Sequence, residues 1–173
     1  MKLSSLLVLA VSAAVLAGCS STNTQVPTAA QTTPIVNTKA ATTAAVSIAQ
    51  AISIAEAKTG GVAVSLDVRG QGAVYEIETI TKTHEHQVQI DTRTGELLSS
   101  TKEYDVNVMP SVKLSLADAA KIAQGSGVLY DISLERELGR TYYEAKVMAE
   151  HPYEIHIDAN SGQILQSRID YDD

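Results

Sequence analysis

Ile90-Asp91-Thr92-Arg93-Thr94-Gly95-Glu96-Leu97-Leu98-Ser99-Ser100 and Ile157-Asp158-Ala159-Asn160-Ser161-Gly162-Gln163-Ile164-Leu165-Gln166-Ser167 are one phrase written twice, 67 positions apart. In each, an apolar alternation ends on an Asp, four residues later comes a Gly, and an apolar residue follows it closely. An Asp side chain can accept from backbone N–H groups two residues on and so start a turn. Gly reaches the positive φ at which a chain re-enters a hairpin. The phrase therefore predicts a tight β-hairpin, present once in each half of a duplicated domain.

Working outward, the duplication covers nearly everything after Val46. A shift of 68 lays Ser47 on Ser115, Ala51 on Ala119, Ile54 on Ile122, Leu66 on Leu134, and Tyr75-Glu76 on Tyr143-Glu144. One residue is then lost, and a shift of 67 lays Gly95 on Gly162 and Tyr104-Asp105 on Tyr171-Asp172. A period this long is a duplicated domain; a solenoid repeat runs to about 20–50 residues.

Each copy opens with a helix signal. Ser47 stands three before Gln50, the spacing of a capping box, and Ser115 three before Asp118. Ile48, Ala51, Ile52 and Ala55 share one helical face, as do Leu116, Ala119, Ala120 and Ala123. Gly60-Gly61 and Gly125-Ser126-Gly127 then stop the helices. Period-two runs follow at Val62/Val64/Leu66/Val68, Tyr75/Ile77/Thr79, Val88/Ile90 and Ile155/Ile157, with Leu97 and Ile164 after the glycines. Such alternation gives a sheet one buried face, and the helix is its natural cover. The expected fold is α+β: two tandem repeats, residues 46–106 and 111–173, each α-β-β-β-β with its helix packed on a small antiparallel sheet. The Met109-Pro110-Ser111-Val112 joint is short and stiffened by Pro110, which predicts a fixed relation between the copies.

Ahead of the repeats, residues 1–18 have a charged start, an apolar run from Leu6 to Leu16 and small residues at the end, the pattern of a secretory signal. The run falls short of the ~20 apolar residues that cross a bilayer. Residues 19–45 are rich in Thr, Ala, Gln, Asn and Pro and read as a flexible tether. About 25 such residues span roughly 25–30 Å. Leu16-Ala17-Gly18-Cys19 resembles the lipobox of bacterial lipoproteins. That resemblance implies acylation of Cys19, cleavage just before it and attachment to the cell envelope. With Ser20 next in line, it implies the periplasmic face of the outer membrane in a Gram-negative host. Cys19 is the chain's single cysteine, so an internal disulfide is impossible.

The full chain carries 20 acidic and 13 basic residues, a net charge of −7, with no Lys/Arg run. This argues against a nucleic-acid partner, which needs clustered positive charge. No Gly-x-Ser-x-Gly or His-Glu-x-x-His occurs, and no serine or cysteine has a marked base, so the reading is not an enzyme. His84 and His86 stand at i and i+2 and could reach one metal from one strand face. Copy two places His151 and His156 in the same region with different spacing and Pro152 in the tip, which favours a solvated hairpin tip. Asp158-Ala159-Asn160-Ser161-Gly162 starts like a calcium loop, but its twelfth position is Ile169, so a plain turn is favoured. The acidic end, Asp170 to Asp173, reads as solvated.

Capped helix, Tyr-Glu strand and Asp-x-x-x-Gly hairpin, in that order and twice, are similar to the PepSY domain over nearly all of residues 46–173. That resemblance implies a binding or regulatory module of peptidases or other envelope enzymes, without catalytic machinery, metal or cofactor. With no peptidase in the same chain, its target would be a separate protein. The alternatives are a non-inhibitory periplasmic sensor or assembly partner, and a metal-binding envelope protein. A second sheet face carrying Glu76 and Glu78 in one copy, and Glu144 and Lys146 in the other, is expected to form one acidic concave surface for a partner.

Overall fold

A computed structural model describes residues 45–106 and 111–170. Cys19, the leader, the tether before Ala45, the 107–110 joint and the last three residues lie outside the described residues.

The first repeat runs α1 (Ile48–Thr59), β1 (Val62–Arg69), β2 (Val74–Ile80), β3 (His84–Asp91) and β4 (Leu97–Tyr104). The second runs α2 (Leu116–Gln124), β5 (Val128–Glu137), β6 (Arg140–Met148), β7 (Pro152–Asp158) and β8 (Ile164–Ile169). The α-β-β-β-β order thus holds in both. The separate sheets do not: β1 pairs with β5, and all eight strands form one antiparallel sheet ordered β4-β3-β2-β1-β5-β6-β7-β8. The first strand of each repeat would otherwise be an edge with unpaired backbone groups, and each satisfies the other.

Helix starts follow the sequence. Ser47 caps α1 with a full capping box, and the Ser115 hydroxyl accepts from the Asp118 N–H. The expected faces are inside: Ala51, Ala55, Ala119 and Ala123 are fully buried, beside Ile48, Ile52, Leu116 and Ala120. Small residues there let both helices lie close on the same face of the sheet. Helix ends differ between copies. Gly60 closes α1 in the left-handed conformation, whereas Gly125 keeps φ −65°, and α2 ends through a tight N–H bond to the Ile122 carbonyl.

Two corrections concern β1 and β5. The alternation placed Val62 and Val64 on the face of Leu66. A β-bulge between Ala63 and Ser65 shifts the phase, so Ala63 is buried while Val62 is 40% exposed. The same bulge lies between Leu129 and Asp131, leaving Val128 exposed and Leu129 buried. Counting from the bulges, Leu66 corresponds to Ile132, not to Leu134. The chain loses two residues after α2 and regains them in the β5–β6 hairpin. Across β1–β5, Leu66 pairs with Ile132, Ser65 with Ser133 and Asp67 with Asp131. A residue that faces its own counterpart marks a two-fold axis, so the repeats are related by a dyad through the Leu66–Ile132 pair. Both residues are fully buried, and one aliphatic core runs under both helices.

The hairpins form as expected. Asp91 Oδ1 accepts from the N–H groups of Arg93 (3.0 Å) and Thr94 (2.7 Å) and from the Thr94 hydroxyl (2.8 Å). Asp158 repeats the set with Asn160 and Ser161. Gly95 and Gly162 both sit at φ +74°. Asp158-to-Gly162 is thus a turn closed by the Asp158 carboxylate and by the Gly162 N–H bond to the Asp158 carbonyl.

Candidate functional site

The helices cover one face of the sheet, and strand alternation decides what the other presents. Ile77 and Thr79 of β2 point under the helices, which turns Glu76 and Glu78 to the free face. Ala145 and Val147 do the same for Glu144 and Lys146 of β6. Because β1 and β5 join the repeats, these four side chains stand on one uninterrupted surface over four adjacent strands. At about 4.8 Å per strand, β2 and β6 lie roughly 14 Å apart.

A depression of about 360 Å³ opens at the dyad, lined by Asp67, Glu76, Glu78 and Asp131 among others. Arg69 supplies a positive charge in its lining, 2.7 Å from Asp67 and 3.6 Å from Glu76. Burial, then the neighbouring Glu85 and Glu135, push the Glu78 carboxyl up against the hydrogen bond from Ser65. Burial and Asp67 likewise raise Asp131, against the pull of Lys146 and Arg69. Lys146 lies 3.8 Å from Asp170; partial burial opposes its charge, but Asp170, Asp131 and Glu144 outweigh that and hold its pKa up. On the first-repeat side the amide of Gln89 donates to Glu76 (2.8 Å) and accepts from the Ser99 hydroxyl (3.0 Å). Such a surface suits a partner with basic groups.

His84 and His86 are brought together, but on the helix-covered side, with ring centroids 6.1 Å apart. His84 stacks edge-on against Tyr104 and bonds Thr83 through Nδ1. Partial burial, then Lys102 and His84, hold His86 below its ordinary pKa. Among the described residues no carboxylate or third imidazole joins this pair in a three-ligand cluster.

Sequence reasoning missed a second group on the free face. Glu144 pairs across the ladder with His156, and Glu154 with Arg168. Glu154 is almost fully buried, and its carboxylate receives Arg168 at 2.7 and 2.8 Å and His156 at 2.7 Å. Burial raises its pKa, but those hydrogen bonds outweigh it and hold the carboxyl below the ordinary value. Alternation of Glu154 and His156 with Ile155 and Ile157 puts both on one face; only the β6–β7 register shows that Glu144 meets them.

The Tyr of the Tyr-Glu strand has a structural role. The Tyr143 hydroxyl donates to the Leu114 carbonyl at 2.7 Å, just before the Ser115 cap, and Tyr75 donates to Val46 at 3.2 Å. Burial pushes the Tyr143 phenol up to about 12.

Comparison with known proteins agrees with this duplicated architecture. A crystal structure of a candidate lipoprotein from Clostridium difficile 630 superposes with a TM-score of 0.50 at 24% identity, over 72% of this chain and 93% of that one. No curated protein matches the chain. Residues 45–101 and 113–168 each match the family described as peptidase propeptide and YPEB domain. Two copies of helix, Tyr-Glu strand and Asp-x-x-x-Gly hairpin, each matched separately, place this chain in the PepSY family.

Proposed function

We propose that the protein is a non-catalytic, envelope-tethered module whose free sheet face docks a protein partner and so modulates an envelope enzyme, a peptidase before others. Membership of a family described by its peptidase propeptides supports a protein-binding, regulatory role. The observation that carries the rest is the β1–β5 ladder, which merges the free faces of both repeats around Glu76, Glu78, Glu144 and Lys146. The acidic excess there favours a basic docking patch on the partner, with binding that weakens as salt rises.

The test is capture from envelope extract by the lipidated full chain, followed by titration of the captured protein and assay of its activity. Glu76→Lys with Glu144→Lys is expected to weaken binding and to flatten its dependence on salt, because fewer attractive charge pairs remain to be screened. Unchanged affinity in this charge-reversed variant would remove the face from the reading. Undiminished enzyme activity in the saturated complex would favour an assembly or sensor role over inhibition.

Anchoring belongs to the same reading and rests on the sequence of residues 16–19. Cys19→Ala is expected to move the protein out of membrane fractions or leave it unprocessed. Equal retention of parent and variant would rule out a lipid anchor at Cys19.

A further inference from the structure

We infer that Glu144, Glu154 and His156 form a binding site for one divalent cation of the zinc class. Their ligating atoms all lie within 4.8 Å of one another. His156 Nε2 is 2.7 Å from Glu154 Oε1 and 3.5 Å from Glu144 Oε2. An ion held at about 2.0–2.2 Å by nitrogen and oxygen needs ligand atoms roughly 3.0–3.6 Å apart. The two distances to the imidazole are within a few tenths of an ångström of this range, and the Glu144 and Glu154 oxygens, within 4.8 Å of each other, reach it by a side-chain movement of at most about 1 Å.

The frame is stiff. Glu144 and His156 face each other across the β6–β7 ladder, and Glu154 lies two residues along the same strand. Both strands are paired on both sides. Tyr142 stacks on His156 with centroids 4.6 Å apart and fixes the imidazole plane. A cleft of about 500 Å³, lined by His156 with Arg140, Tyr142, Leu165 and Gln166, gives the ion an entry path. Arg168 bonds both oxygens of Glu154. Keeping Oε2 while the ion takes Oε1, it acts as an outer partner that orients a ligating carboxylate. One imidazole with two carboxylates selects Zn²⁺, Co²⁺ or Cu²⁺ over the oxygen-seeking Ca²⁺ and Mg²⁺.

The duplication supplies an internal control. The first-repeat positions matching Glu144, Glu154, His156 and Arg168 are Glu76, Gln87, Gln89 and Thr101, on the same ladders. That frame folds with amides where the second repeat has an acid and an imidazole, so it has one ligand in place of three. The site is therefore specific to the second repeat and distinct from the His84–His86 pair. It shares Glu144 with the docking face but does not depend on it.

The experiment is titration of untagged full-length chain with Co²⁺, read by visible absorption, and with Zn²⁺, read by calorimetry. Cys19→Ser is included so that no thiolate competes. One equivalent is expected to bind, with affinity unchanged in His84→Ala/His86→Ala. Glu154→Gln/His156→Gln, which installs the first repeat's residues, is expected to weaken binding by more than about 100-fold, beyond the loss from an outer-shell change. Binding that survives this double variant, or no saturable binding to the parent, would overturn the site. If the double variant fails to fold, Gln87→Glu/Gln89→His decides: a second equivalent supports the proposal, and none overturns it.

Discussion

Gly95 and Gly162 carry the clearest single-residue demands in the fold. Both sit at φ +74°, where an L side chain meets its own backbone. An added Cβ would also lie 3.0 Å from Val46 Cγ2 in the first copy and 3.1 Å from Ile122 Cδ1 in the second. Gly95→Ala and Gly162→Ala are each expected to lower stability by about 1–2 kcal/mol, read from urea midpoints. Parent-like midpoints in both would mean the turns relax into another type. Asp131 makes the opposite demand. Half-buried beside Asp67, its carboxylate is penalised in the fold, as Glu78 is. A carboxyl with a raised folded pKa adds stability as pH falls through that pKa, until the unfolded chain takes up the proton too. Asp91, Asp158 and Glu154 are depressed and act in reverse, stabilising above the ordinary carboxylate range and giving way below it. Asp131→Asn is therefore expected to melt higher than the parent at pH 7, with the gap closing as pH falls toward about 4. A lower melting point at pH 7 would mean that the attraction of Lys146 outweighs the burial cost.

At the scale of elements, each helix is tied to the sheet at its first turn. The residue ahead of each cap is hydrogen-bonded to the β3–β4 or β7–β8 hairpin, Val46 to Thr92 and Leu114 to Ala159. The carbonyl of that same residue receives the tyrosine hydroxyl from the strand below. Tyr143→Phe leaves the Leu114 carbonyl without its donor and is expected to cost about 1–2 kcal/mol. Tyr75→Phe, at a longer and less buried bond, is expected to cost less; equal losses would show that the hydroxyls do not hold the helix starts. Helix faces and hairpins were legible in the sequence because local spacing fixes them: 3.6-residue periodicity buried Ala51 and Ala119, and Asp91 and Asp158 bond their own turns. The bulges were not legible. Val64 and Tyr130 look like ordinary strand residues, yet each shifts the phase of its strand and exposes the valine two positions before it. The Glu144–Glu154–His156 group was hidden for a related reason. It depends on which residue of β6 faces which residue of β7, and no single strand records that register. Alternation within β2 and β6 already turned Glu76 with Glu78, and Glu144 with Lys146, away from their own helices, but that the two faces are one surface rests on the β1–β5 pairing, which no spacing records.

At the scale of the molecule, the joining of the two sheets was the least readable feature and has the sharpest consequence. β1 and β5 are counterparts, and they meet antiparallel about a dyad through Leu66 and Ile132. A single repeat therefore holds, in its own first strand, the partner that this strand needs. In the native chain the dyad places Ser65 against Ser133 and Asp67 against Asp131. Two copies of the first repeat would instead place Ser65 against Asp67 twice and Leu66 against Leu66, removing the opposed acids while keeping the apolar centre. An isolated repeat of about 60 residues also lies near the lower limit for folding alone, which favours sharing a core. Residues 45–106 expressed alone are expected to dimerise through β1 and rebuild an eight-stranded sheet. Light scattering after size exclusion, at several protein concentrations, reads the mass. Asp67→Pro, which removes a backbone donor from β1 and breaks the regular strand at its paired centre, should give a monomer or an unfolded chain. A wild-type fragment that is folded and monomeric at all concentrations would show that the edge is closed by some other means. A dimer that survives Asp67→Pro would move the contact to β4, the other edge of the sheet.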